Sequence, residues 1–232
     1  YEEFYMYLGF VTALIGLIFA ISQKDIKLIL SFHTISQIGI ILMAFSTGIG
    51  IMYEGGVFHI INHAIFKALL FMSAGIIINE YNNRNVTQIR GVFQRLPVIS
   101  VWMIVGMLSI TGAPLFNGYV SKGMIGYGMK AYPLYNIFFQ VINIGTMCSF
   151  IKIGQIFFGK AILLKGKYYL ENLSMMLLAI TSLGIGIFFK EVAFTFWNIH
   201  IEYISVFMLE KWINYSMTFI IGFILYQYII KK

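Results

Sequence analysis

Apolar stretches of about 18 residues or more follow one another along the whole chain, and that is the length a helix needs to cross the hydrocarbon core of a bilayer. Only helices and closed barrels can span lipid, because every backbone N–H and C=O must find its partner inside the structure. A barrel would alternate apolar and polar residues over about ten positions, whereas these runs are continuously apolar. The expected fold is therefore all-α, a polytopic transmembrane helix bundle. Composition agrees. Of 232 residues, 59% are hydrophobic and 11% charged, with a mean hydropathy of +0.84, against about a quarter charged in soluble domains.

Seven apolar segments can be marked, at about Phe4–Ile21, Leu28–Phe45, Val57–Ile78, Val98–Ala113, Leu115–Tyr132, Leu134–Phe158 and Leu173–Phe189. Ser216–Ile230 is a shorter eighth, so about seven or eight transmembrane segments are expected in a single bundle over residues 1–232. Between the last two lies Glu191–Asn214, whose Trp197, His200, Glu202, Glu210, Lys211 and Trp212 suit an interfacial stretch or a tilted span. The chain opens Tyr1-Glu2-Glu3, with no methionine and no basic n-region, and reads as a piece of a longer protein without a signal peptide.

The formal net charge is +7. Its cations sit mostly in the joints between apolar runs, where membrane topology explains them better than nucleic-acid binding does. Lys24, Lys27, Arg84, Arg90 and Arg95 fall on one side of the membrane. Lys160, Lys165 and Lys167 fall opposite if Val98–Tyr132 crosses twice, and on the same side if that stretch is one broken crossing. The charge rule favours the second count, and the length of the stretch favours the first. The single cysteine, Cys148, rules out a disulfide framework, a zinc knuckle or an iron–sulfur site on this chain alone.

Ionisable groups inside a bilayer are expensive, at about 2.5–3.5 kcal/mol or more for a charge at the helix centre. The third segment holds the densest set, His59, Asn62, His63 and Lys67. Four-residue spacings put His59, His63 and Lys67 on one slanted stripe, with Asn62 on the same side. Imidazole, amide and amine groups in file are what a hydrated proton path needs; the plainer alternative is helix-end packing for His59 and snorkelling for Lys67. The second segment adds His33, Thr34, Ser36 and Gln37, which can equally serve as interhelical hydrogen-bonding glue. Lys152, within a turn or two of its segment's end, reads as a snorkelling lysine. Every Asp and Glu lies near a joint, so Lys67 and Lys122 must find counter-charges elsewhere or sit neutral.

Residues 111–123, Thr-Gly-Ala-Pro-Leu-Phe-Asn-Gly-Tyr-Val-Ser-Lys-Gly, combine Gly112, Pro114 and Gly118 just before Lys122. Proline removes a donor and glycine eases irregular φ/ψ, so a helix break is expected here. Broken helices at membrane depth line cavities and recur at ion sites in transporters. The plainer reading is a loop between two ordinary spans.

At these motifs the sequence resembles a known family. Gln23-Lys24-Asp25-Ile26-Lys27, Ser36-Gln37-Ile38-Gly39, the helix from His59 through Asn62, His63 and Phe66-Lys67 to Phe71, and Gly112-Ala113-Pro114 to Ser121-Lys122 stand in family order and spacing. They resemble the antiporter-like proton-channel subunits shared by respiratory complex I, multi-subunit sodium/proton antiporters and membrane-bound hydrogenases, most of all the largest such subunit of complex I. The resemblance covers roughly residues 5 to 160. It implies two inverted five-helix repeats in the whole subunit, with residues 4–158 as the second repeat and 159–232 as additional C-terminal helices. It also implies that Lys67 is the connecting lysine, Lys122 the terminal lysine on a discontinuous helix, and His59 and His63 relay histidines, all along one polar axis. Two positions depart from the family pattern: His33 stands where serine is usual, and Gly123 follows the lysine where complex I subunits carry aspartate. The second leaves room for the antiporter and hydrogenase branches.

The reading that follows is a proton-translocating, or sodium/proton-exchanging, subunit fragment of a redox-driven complex of the NADH dehydrogenase type. It would be non-catalytic itself and partnered by other membrane subunits. No cofactor or metal is expected on this chain, and redox chemistry would belong to the partners. Two rivals are a carrier for a small organic solute, whose anion the broken helix could bind, and a purely structural membrane subunit. The membrane is expected to be a bacterial or mitochondrial inner membrane.

Overall fold

The computed structural model describes residues 1–48, 50–160, 168–198 and 207–230. Lys165, Lys167, His200, Glu202 and the side chain of Trp197 lie outside the described residues. The chain is a bundle of α-helices: α1 (Glu2–Ser22), α2 (Ile26–Phe45), α3 (Ile51–Tyr81), a single turn α4 (Val92–Arg95), α5 (Pro97–Thr111), α6 (Asn117–Gly128), α7 (Pro133–Gly154), α8 (Tyr169–Ile187), α9 (Phe189–Trp197) and α10 (Leu209–Leu225). Among the described residues the only extended pairing is an isolated bridge between Asp25 and Asn85.

Helix starts follow the local chemistry. Asp25 caps α2, its carboxylate accepting from the backbone N–H of Lys27 at 2.8 Å and of Leu28 at 3.2 Å. Proline opens α5 and α7, where its missing N–H and fixed φ do no harm. Asn82, in the left-handed region at φ 45°, ends α3.

Five helices among the described residues are long and apolar enough to cross a membrane: α1, α2, α3, α7 with its terminal 3-10 turn, and α8. That is fewer than the seven or eight segments expected. The difference lies mainly in the stretch 98–132. It forms α5, of 15 residues, and α6, of 12, each too short to span alone. The eighth segment is the latter part of α10, which begins seven residues earlier than expected and continues into a π-helical turn at Tyr226–Ile230.

The packing of α3 shows how the two short helices are used. Gly128 abuts Met52, and Gly55 abuts Met124 and Ile125. Asn62 bonds to Asn117, Gly106 abuts Leu70, and Arg95 pairs with Glu80 at 3.0 Å. Each step down α3 is matched by a step up α6 and then α5. The two are consecutive halves of one broken crossing, antiparallel to a 31-residue helix about 46 Å long.

This geometry decides the charge count for the described cations. Phe58, Phe66, Leu69 and Leu70 of α3 pack inward, and the basic joints gather at the far end of the same helix. Lys24, Lys27, Arg84, Arg90, Arg95 and Lys160 share that end; Gly91 N–H donates to the Phe158 carbonyl beside Lys160. Lys130 and Lys211 line one cleft towards the opposite end, and Lys190 stands on α9, which packs on Phe58 near the start of α3. One large apolar core near the basic end joins Ile26, Ile29 and Leu30 of α2 to Phe66 and Leu69 of α3, Met103 of α5 and Phe150 of α7.

Candidate functional site

Where α2, α3, α6 and α7 meet, the apolar interior gives way to a connected set of polar side chains. α3 supplies His59, Asn62 and Lys67 from its buried face. The His59 imidazole bridges two helices, with Nδ1 2.8 Å from Ser121 Oγ of α6 and Nε2 2.9 Å from Gln37 Oε1 of α2. One turn on, Asn62 Nδ2 donates to the Asn117 carbonyl at 2.9 Å. Asn117 Oδ1 accepts from Ser182 of α8 at 2.9 Å, and Ser182 meets Ser109 of α5 at 2.7 Å. His63 is less buried; its ring lies 6.3 Å from that of His59 and edge-on to Phe66.

The helix break sits against this set. α5 ends at Thr111, Gly112 turns left-handed at φ 78°, and α6 starts at Asn117. Leu115 is also left-handed, at φ 75°, a conformation costing about 1–2 kcal/mol for a residue with a β-carbon. Gly118 lets the first turn of α6 press on α5: a β-carbon there would lie 1.8 Å from the Ser109 carbonyl oxygen. Pro114 lies within the irregular 112–116 link.

Both lysines of the sequence reading point inward. Lys67 is 6% exposed and Lys122 7%. Lys67 Nζ donates to the Leu30 carbonyl of α2 at 2.6 Å. Lys122 Nζ donates to the Ile110 carbonyl at 2.7 Å and to Asn143 Oδ1 of α7 at 3.0 Å. Among the described residues neither amine meets a carboxylate; carbonyl dipoles hold them, and the carbonyl of Ile110 is one the helix break sets free. Lys67 and Lys122 both act electrostatically on His33 and on His63. On the side of Lys122 away from the basic end, an open cleft of about 490 Å³ between α6, α7 and α10 is lined by Tyr119, Lys130, Asn136, Gln140 and Glu210 among others.

The sequence reading missed several members of the set. Ser121, Asn117, Asn143, Ser109 and Ser182 carry the bonds between helices. Asn143 was visible as an amide inside an apolar run, whereas nothing in sequence singles Ser182 out from other membrane serines. Lys152 does not snorkel. It is 5% exposed, and its amine turns inward to the end of α1, donating to the carbonyls of Ile21 at 2.6 Å and Gln23 at 2.5 Å. The unmet carbonyls of a helix C-terminus attract a cation, and here they outcompete the interface.

A helical bundle with three inward lysines, a bridging imidazole and a broken crossing defines a polytopic membrane protein whose interior is built for charge. The transmembrane region of the NADH:quinone oxidoreductase/Mrp antiporter proteins matches residues 1–149, and the chain belongs to that family. It is 42% identical over 116 residues to a probable K(+)/H(+) antiporter subunit of Rhizobium meliloti, covering 50% of this chain and 12% of that protein. It is 32% identical over 153 residues to formate hydrogenlyase subunit 3 of Escherichia coli, covering 61% of this chain and 24% of the other. A Na(+)/H(+) antiporter subunit of Alkalihalophilus pseudofirmus is 39% identical over 139 residues, covering 53% and 17%. The chain thus spans a quarter or less of the length of these relatives. Two solved structures share the fold. They are the Mrp complex from Dietzia, with a TM-score of 0.72 at 21% identity over 96% of this chain and 47% of that one, and respiratory complex I from Thermus thermophilus, with 0.77 at 18% identity over 97% and 45%.

Proposed function

We propose that this chain carries the proton-translocating core of an antiporter-like subunit in a multi-subunit inner-membrane complex. On this reading residues 4–158 are the second five-helix repeat and 159–232 the additional C-terminal helices. The observation that carries the reading is the pair of inward amines, Lys67 and Lys122, held on neutral carbonyls at either end of one polar seam. An amine anchored only by dipoles can release its proton without leaving a stranded counter-ion, and imidazoles between the two can pass it on. His59, His63 and the supporting Gln37, Asn62 and Ser36 belong to that seam, with Gly112, Pro114 and Gly118 placing Lys122 at depth. Proton transfer is favoured over sodium. The charged members of the seam are the bases Lys67 and Lys122, which exchange protons and repel a metal cation. The positive-inside rule turns the basic end towards the cytoplasm or matrix, so the cleft beside Lys122 opens to the other side.

Complex I, sodium/proton antiporters and membrane-bound hydrogenases are the assemblies such a core would serve. A redox-driven complex of the complex I type is our first assignment, with the antiporter and hydrogenase branches as alternatives. The test uses the whole subunit with its native partners, reconstituted in proteoliposomes and followed with pH- and sodium-sensitive dyes. Lys122→Ala should lower proton flux at least tenfold with the complex still assembled. Undiminished flux in that variant, or flux that follows sodium and ignores protons, would overturn the reading.

A further inference from the structure

Seven buried side-chain atoms described have no hydrogen-bond partner, and both ring nitrogens of His33 are among them. Ser36 Oγ and Gln37 Nε2 lie beside it on α2, and Ser149 Oγ on the α7 segment whose Phe150 ring stands 5.0 Å from the imidazole. Each such group left bare costs about 1–3 kcal/mol, and a cluster of this kind is ordinarily met by internal water. His33 is fully buried. It occupies the stripe of α2 between Leu30, whose carbonyl holds Lys67, and Gln37, which holds His59. Lys67, Lys122 and Lys152 all act on its charge, as Lys67 and Lys122 do on that of His63.

We infer that His33 is a proton-carrying junction of the seam, working through water held by Ser36, Gln37 and Ser149 between α2 and α7. The step balances without any co-reactant. The lone-pair nitrogen of the neutral ring takes a proton relayed by water from the Lys67 ammonium, and the opposite N–H gives its proton to water on the Lys122 side. The imidazole ends neutral in its other tautomer, and reversal of the ring resets it. The inference rests on the proposed proton path, and the experiment separates the two.

Flux is measured in proteoliposomes holding the complete complex, with His33→Phe, His33→Asn and Lys122→Ala side by side. His33→Phe, which fills the space with an apolar ring, should cut flux at least tenfold. His33→Asn keeps polarity and hydrogen bonding but cannot carry a proton, and should fall at least fivefold. It should also remove an imidazole tautomer band from the infrared difference spectrum between the working and the resting complex. Flux within twofold of the parent in His33→Asn, with the infrared spectrum unchanged, overturns the junction, because a packing or bonding role would be rescued by asparagine. If Lys122→Ala retains flux, the proton path itself fails. If Lys122→Ala abolishes flux while His33→Phe does not, only the junction fails. Should His33→Phe not assemble, His33→Asn and its spectrum decide alone.

Discussion

α3 and the α5–α6 crossing traverse the same thickness side by side, one unbroken over 31 residues and the other interrupted for five. Both carry a lysine to the interior. In α3 the continuous ladder uses the helix's own carbonyls, so Lys67 borrows one from α2, and that oxygen already accepts the Thr34 hydroxyl at 3.2 Å. In the broken crossing the end of α5 offers the Ile110 carbonyl, and Lys122 takes it and adds Asn143. An amine can therefore be held at membrane depth without a carboxylate in two ways. One shares a carbonyl already in use, and the other depends on a break that supplies a fresh one. The second arrangement carries a strained Leu115 and a tight approach at Gly118, and so depends more sharply on single residues.

The hardest blow to the comparison falls at Gly118. A β-carbon placed 1.8 Å from the Ser109 oxygen must push α6 off α5, and overpacking of a far milder kind costs about 1–3 kcal/mol. Gly118→Ala should abolish assembly of the protein or lower its melting temperature by many degrees. Gly75→Ala on α3, where nothing lies within 4 Å of an added β-carbon, should leave it unchanged. Equal melting curves for the two variants in detergent would show that the break is not under this constraint.

A milder test addresses the tie between the two crossings. Asn117 joins α3 through Asn62 and α8 through Ser182. Asn117→Ala removes the bond to Ser182 and the 3.4 Å bond from Nδ2 to the Asn62 carbonyl, leaving Ser182 with Ser109 alone, for a loss of about 1–3 kcal/mol. The backbone bond from Asn62 survives, so the variant should assemble and unfold at lower denaturant. Ser182→Ala, which breaks the same bond from the other side and leaves Asn117 Oδ1 bare, should cost less, because Asn117 Nδ2 keeps the Asn62 carbonyl and Ser109 retains the Val105 carbonyl. Equal losses in both would place the weight of the tie elsewhere.

How much of this was legible in the sequence differs between the two crossings. The stripe on α3 was readable because helical periodicity alone places His59 and Lys67 together, and burial follows from the apolar residues around them. The irregular link after Thr111 was readable from Gly112, Pro114 and Gly118. What those residues could not say is that α5 and α6 are two halves of one traverse, because that depends on register against α3. The segment count was too high at that stretch for this reason. Lys152 was misread for a related cause: its spacing from a helix end is plain in sequence, but the free carbonyls of α1 that turn it inward are brought there by tertiary packing.

The smallest effect expected lies at the basic end, where the unbroken helix is tied to α8. Glu80, near the end of α3, accepts from Arg95 and from the hydroxyl of Tyr168, the latter at 2.5 Å. That hydrogen bond is the main reason the Tyr168 phenol is pushed up to about 12, with desolvation and the charges of Glu80 and Glu171 adding and Arg95 opposing. A pKa raised in the folded state means the neutral phenol is the form the fold prefers. Its contribution is thus complete below the ordinary value near 10 and is lost as pH rises towards about 12. The melting temperature of the parent should therefore fall more steeply across that window than that of Tyr168→Phe, which lacks both the bond and the titration. Tyr168 is only half-buried at this end, so the difference should be small and visible only as the gap between the two curves. A gap that stays constant from neutral pH to about 12 would mean that Tyr168 donates nothing to Glu80.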